Sequence, residues 1–248
     1  MDLPRIFAIR EADHRIHNPL TEHKLATLGA AVRLRPGQTL LDLACGSGEM
    51  LCTWSRDHGI RGTGVDISTV FLAAAEARAA ELGVAGRVRF VHADAAGFVL
   101  PEPVDVAACI GATWIGDGLP GTLTLLERSL KPGGLLLVGE PFWRVDHPDQ
   151  AIVEGCGFKD RDEYDSLPGL VESFGRLGWD VVEMVLADED SWDRYAAAQW
   201  FSLRAWLDAN PGDELAGRVR AELDTAALRY VRYRRPYLGW GVFALRRR

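Results

Sequence analysis

Apolar positions along this chain fall into short runs that alternate with amphipathic stretches. Thr39 to Ala44 (TLLDLA), Gly62 to Ile67 (GTGVDI), Val88 to His92, Val104 to Ile110 (VDVAACI), Leu135 to Gly139 and Val181 to Leu186 read as strands. Between them, helical spacing predicts one helix over Glu49 to His58, closed by Gly59. A second starts from the cap Ser68, carries Phe71, Leu72, Ala75, Ala79 and Leu82, and stops at Gly83. Leu119, Leu123, Leu126 and Leu130 predict a third, ended by Lys131-Pro132-Gly133-Gly134. Leu170, Val171, Phe174 and Leu177 form the face of a fourth, closed by Gly178. Ahead of the first strand, Asn18-Pro19 reads as N-cap and first turn of a helix to about Arg33, with Leu25, Leu28 and Val32 on one face. Strands that are apolar throughout and alternate with helices predict an α/β fold, a doubly wound and mostly parallel sheet covered on both faces. In such sheets ligands bind beyond the carboxyl ends of the strands, where strand order reverses.

The alternation breaks late. Residues 188–236 read as two helices. One carries Trp192, Tyr195, Ala196, Trp200, Leu203, Trp206 and Leu207 and stops at Asn210-Pro211-Gly212; the other carries Leu215, Val219, Leu223 and Ala226. Long insertions of this kind often serve as lids or binding elements. The predicted organisation is a single domain: an N-terminal cap and helix over 1–37, a core over 38–187, a helical lid insertion over 188–236 and a final strand over 237–248.

The densest chemical signal is Leu41 to Met50, LDLACGSGEM. A strand ends in an acid and enters a glycine turn that opens a helix. Glycine lets backbone approach a ligand, and the helix N-terminus offers unpaired N–H groups. Asp66 ends the next strand, where a carboxylate can accept both hydroxyls of a ribose, and Asp94 follows the third strand in VHADAAG. Asp42 or Asp94 can also be read as a plain turn or cap residue. The dehydrogenase fingerprint GxGxxG fits less well, because Leu51 stands where its third glycine belongs.

At these residues the chain resembles class I S-adenosylmethionine (SAM)-dependent methyltransferases, and within them a group of bacterial small-molecule methyltransferases, on IHNP, GEPFW and the late insertion. The resemblance runs from about Thr39 to Leu186 and resumes in the last strand. It implies a Rossmann-like sheet of seven strands with an antiparallel final strand, supplied by GWGVFAL, and SAM as cofactor. It also implies that Asp42 orders the turn and that Gly46, Ser47 and Gly48 pass close to the methionine part. Asp66 with Ile67 would hold the ribose, Asp94 with Ala95 the adenine amino group, and Ile110 and Gly111, in CIGATW, would line the transfer site. LKPGG (Leu130 to Gly134) matches the turn before the fifth strand. Cys45 stands where many members have glycine.

Composition adds boundaries. The chain has 248 residues, 48% hydrophobic, enough for one sizeable core, and a net charge of −7 that argues against bulk attraction to nucleic acid or an anionic membrane. The arginines Arg229, Arg232, Arg234, Arg235 and Arg246 to Arg248 read as a solvated basic face. Cys45, Cys52, Cys109 and Cys156 show no CxxC spacing, which suggests neither zinc nor a dithiol, and they fit a reducing compartment. His14 and His17 are three apart without a third ligand, so no metal is expected. With no signal-like or bilayer-spanning run, the expected location is cytoplasmic.

Methyl transfer from a sulfonium requires alignment and water exclusion, and a base only when the acceptor arrives protonated. Glu140, in GEPFW, reads as an acceptor ligand or base, or as a buried acid bonded to backbone amides. His17 is the second catalytic candidate. Trp114, Trp143, Arg144, Tyr195, Trp200, Arg204 and Tyr230 are candidate acceptor-binding residues, although an aromatic stripe more often packs a helix onto a core. The expected acceptor is a small molecule with an O, N or S nucleophile. A macromolecular acceptor and a non-catalytic SAM sensor are the alternatives. The sequence does not give the oligomeric state.

Overall fold

A computed structural model of the protein describes residues 3–248, so the first two residues of the predicted N-terminal cap lie outside it. The chain opens with helix α1 (Arg5–Arg10) and helix α2 (Glu22–Ala31). The alternating core follows: β1 (Thr39–Leu43), α3 (Glu49–His58), β2 (Arg61–Asp66), α4 (Thr69–Glu81), β3 (Val88–His92), β4 (Val104–Ile110), α5 (Leu119–Glu127) and β5 (Leu130–Trp143). Then come α6 (Gln150–Cys156), α7 (Leu167–Arg176), β6 (Trp179–Leu186), α8 (Glu189–Ala209), α9 (Ala216–Arg229) and β7 (Leu238–Arg247).

The seven strands form one sheet in the order β3-β2-β1-β4-β5-β7-β6. β1 to β5 pair in parallel, and β7 runs antiparallel between β5 and β6. Strand order reverses between β1 and β4, which opens a crevice at their carboxyl ends. Strand residues alternate between two buried faces. Leu40, Val106, Leu135 and Leu137 join one core with Leu28 and Trp54; Leu41, Ala107, Leu136 and Val138 join the other with Leu126 and Phe174. The Trp54 indole donates to the Leu25 carbonyl at 3.1 Å, fastening α2 to α3.

Where the caps are local, the predicted boundaries hold. Ser68 accepts from the Phe71 amide, and Gly59 closes α3 in the left-handed conformation. Four expectations change. Thr21, not Asn18, caps α2; Asn18 instead closes a short turn by accepting from the Leu20 amide. α5 stops at Glu127, and Leu130 already pairs with Val104, so Lys131 to Gly134 bulge within β5 rather than end a helix. Val171 is exposed and off the buried face of α7. The basic C-terminal segment is not simply a solvated face. Arg229 donates to the carbonyls of Gly155 and Glu154, and Arg234 to that of Cys156, covering the orphan carbonyls at the end of α6. No helix among the described residues is long and apolar enough to cross a membrane.

Candidate active site

The crevice between β1 and β4 deepens into a cavity of about 420 Å³. Asp42 and the turn Ala44 to Ser47 form its floor, with Asp66 and Ile67 from the end of β2, Asp94 and Ala95 after β3, and Ile110 and Gly111 at the end of β4. Nine of the ten residues expected to hold the cofactor therefore converge on one cavity.

The tenth is Gly48, which does not line it. Gly48 has φ +67°, and a Cβ there would lie 2.6 Å from the Phe90 ring and 2.9 Å from the Ala75 methyl. Its glycine is required for packing of the turn against the interior, not for approach to a ligand. Gly46, at φ +53°, does face the cavity, and a Cβ would fall 2.7 Å from His17 Nδ1. Cys45 does not carry the turn's unusual backbone: Ala44 does, with φ +59°. For a non-glycine residue that costs about 1–2 kcal/mol.

The two acids divide the work differently from the expectation. Asp66, not Asp42, orders the turn. Its Oδ2 accepts from the Gly46 amide and its Oδ1 from the Ser68 amide, both at 2.8 Å. A carboxylate has about four lone-pair sites, so Asp66 can accept further donors from the cavity. Asp42 is buried, its Oδ1 has no hydrogen-bond partner among the described residues, and it lines the cavity. Burial, with the charge of Asp66 nearby, pushes its carboxyl well above the usual range. Asp94 is exposed and accepts from the Ala96 amide, so it closes a turn and also lines the cavity.

The N-terminal segment forms the opposite wall, with Leu3, Phe7, Arg15, Ile16, His17, Asn18 and Leu20. His17 Nε2 lies 3.1 Å from Ser47 Oγ and its ring 4.2 Å from that of Phe71. Burial lowers the His17 pKa, which favours the neutral imidazole. Sequence reasoning missed Leu3, Phe7, Arg15, Ile16 and Leu20, because the short α1 has no side-chain cap to announce it.

Of the acceptor candidates, Trp114 lines the cavity and is largely exposed. The others lie elsewhere. Trp143 is buried, donating to the Arg161 carbonyl, and Arg144 donates to the Leu238 carbonyl. Tyr195 bonds Glu11, Trp200 packs edge-on against Tyr230, Tyr230 donates to Asp193, and Arg204 pairs with Asp208 on the surface. Glu140 is not in the cavity wall either. β5 continues through it as a strand paired with β7, which keeps the side chain in the interior. There Thr113 makes a side-chain hydrogen bond to it and its Oε2 has no partner among the described residues. Burial pushes its carboxyl up to about 8.

Residues 40–134 match the sequence profile of a methyltransferase domain. Over 99% of both chains, the protein is 59% identical to the uncharacterized protein YjhP of Escherichia coli K12. A SAM-dependent methyltransferase of Geobacter sulfurreducens, crystallised with S-adenosylhomocysteine (SAH), superimposes with a TM-score of 0.98 at 60% identity, covering 100% of this chain and 99% of its own. The chain belongs to the class I SAM-dependent methyltransferases. A SAM-dependent methyltransferase of Thiobacillus denitrificans, also solved with SAH, gives the same TM-score of 0.98 and 60% identity over all of both chains. This methyltransferase is an enzyme whose cofactor is SAM. The cavity fits that cofactor: the buried Oδ1 of Asp42, without a partner among the described residues, can bond a polar group of the ligand, and the Gly46 turn lines the same space.

Proposed function

We propose that this methyltransferase acts on a small, largely apolar molecule bearing an O, N or S nucleophile. The observation that carries the reading is the character of the cavity wall outside the cofactor motifs. Leu20, Leu25, Leu28, Met50, Ile115 and Val242 line it, and its remaining charged or titratable side chains there are Arg15, His17 and Glu49. Cavities of about 300–1,000 Å³ typically hold one drug-sized ligand. At about 420 Å³, this one suits the cofactor with its methyl group facing the apolar wall, so that only a small group of the acceptor can enter beside it.

When bound, SAM supplies an electrophilic methyl group. The protein's own residues then bind, orient and exclude water. Asp66 and Ile67 hold the ribose, Asp94 and Ala95 the adenine, and Gly46, Ser47, Ile110 and Gly111 the remainder. The apolar wall removes water from around the nucleophile, which strengthens electrostatic interactions at the reacting centre. His17, kept neutral by burial, can accept a proton or hydrogen bond from an acceptor that reaches it. Glu140 acts at one remove: through Thr113 it positions the turn that carries Trp114 and Ile115. The soluble, cytoplasmic location expected from the sequence belongs to the same reading.

Saturation-transfer NMR on the SAH-loaded protein tests the acceptor class. A mixed panel of small molecules is expected to give signals from the apolar members that carry one heteroatom. Signals confined to the highly charged members would contradict the proposal.

A further inference from the structure

Among the described residues, none of the insertion over 188–236 lines the cavity. It is instead tied to the N-terminal segment that does. The centre of that connection is Glu11, whose side chain is 1% exposed. Its Oε2 lies 2.8 Å from His14 Nδ1, and its Oε1 accepts from the Tyr195 hydroxyl at 3.2 Å and the Gln199 amide at 2.7 Å. The His14 ring packs on that of Tyr195 with centroids 4.7 Å apart. Further pairs flank the network: Ser202 donates to Asp13, Arg10 meets Glu222, and Arg5 pairs with Asp213.

These contacts differ in kind. Arg5 is half exposed, and ion pairs of that sort contribute little. Glu11 is buried, and replacing it with an apolar side chain leaves His14, Tyr195 and Gln199 without that partner, which is costly for buried polar groups. The segment is therefore held to α8 chiefly through this buried side chain. Three residues beyond His14, His17 sits against Ser47 and Phe71 on the cavity wall, and Phe7, four residues before Glu11, meets Phe71 with ring centroids 6.1 Å apart.

We propose that Glu11 is a positioning residue: through Tyr195 and Gln199 of α8 it holds residues 3–20 over the cofactor cavity. The insertion thus governs how long the cofactor stays without touching it. The inference rests on the cofactor placement given above. The sequence suggested both a lid in the insertion and an N-terminal segment folding over the cofactor; in this proposal the N-terminal segment covers the cavity and the insertion anchors it.

The test compares the full-length wild type with Glu11→Leu, Glu11→Gln and Tyr195→Phe. Stopped-flow displacement gives the SAH release rate, and amide hydrogen exchange is followed over residues 5–20 and over the sheet. Glu11→Leu is expected to release SAH at least about ten times faster, with exchange rising over 5–20 and unchanged in β1, β4 and β5. Glu11→Gln keeps one acceptor oxygen for Tyr195 and Gln199 but none for His14, so it should fall between the two. If Glu11→Leu does not fold, Tyr195→Phe carries the test with a smaller acceleration. Unchanged SAH release in a folded variant, or protection lost equally over the sheet and residues 5–20, overturns the proposal. Failure of the wild type to bind SAH would instead count against the cofactor placement itself.

Discussion

Asp66→Ala is expected to weaken SAH binding by about a hundredfold, roughly 3 kcal/mol. Asp66 holds the turn and the start of α4 together. Its two oxygens each fix a backbone amide, Gly46 on the turn and Ser68 at the start of α4. Hydrogen bonds to a charged group contribute about 1.5–3 kcal/mol each, and a buried amide left unpaired costs on the same scale. Alanine removes both bonds and also the acceptor proposed for the ribose hydroxyls. Asp66→Asn keeps one acceptor oxygen and should bind with intermediate affinity. Calorimetric titration with SAH decides the point; equal affinities for wild type and Asp66→Ala would take Asp66 out of cofactor binding.

The second large effect concerns pH and Glu140. Its carboxyl is pushed up to about 8 by burial, against an ordinary value of 4.5 in the unfolded chain. Between those two values the folded state holds a proton that the unfolded state has released. Stability therefore falls as pH rises through this window, and the loss is complete above pH 8. A buried group shifted this far contributes on the order of a few kcal/mol. Glu140→Gln replaces the protonated acid with a neutral isostere able to bond Thr113. The variant should match the wild type near pH 5 and exceed it at pH 8.5. Urea unfolding at the two pH values measures this. Parallel pH dependence in the two proteins would mean that Glu140 is ionised and satisfied in the folded state.

The sheet and the residues that line the cavity at its edge were legible because their signals are local. The helix over Glu49 to His58, the cap at Ser68 and the acid at the end of β2 each depend on neighbours a few residues away. The bulge at Lys131 to Gly134 was misread because a proline–glycine cluster ends a helix and interrupts a strand with the same composition. Gly46 and Gly48 look alike in sequence; only the positions of His17 and Phe90 show which one faces the cavity. Asp42 and Asp66 are also indistinguishable as strand-ending acids until the Gly46 amide is seen to choose Asp66. Glu11 gave no signal at all, since Tyr195 and Gln199 lie 184 and 188 residues away. The aromatic residues of α8 suggested an acceptor wall, yet Tyr195 and Trp200 are committed to Glu11 and Tyr230. α6 was missed because it has only 7 residues, although Asp149 caps it by accepting from the Ile152 amide.

The most direct test is transfer of isotopically labelled methyl from SAM in a cell extract separated by size into small molecules and macromolecules. The account predicts label in a small product that extracts into organic solvent, with transfer much reduced for Asp66→Ala. Label found only in the protein or RNA fraction, or no transfer to either fraction by a protein that binds SAH, would contradict it.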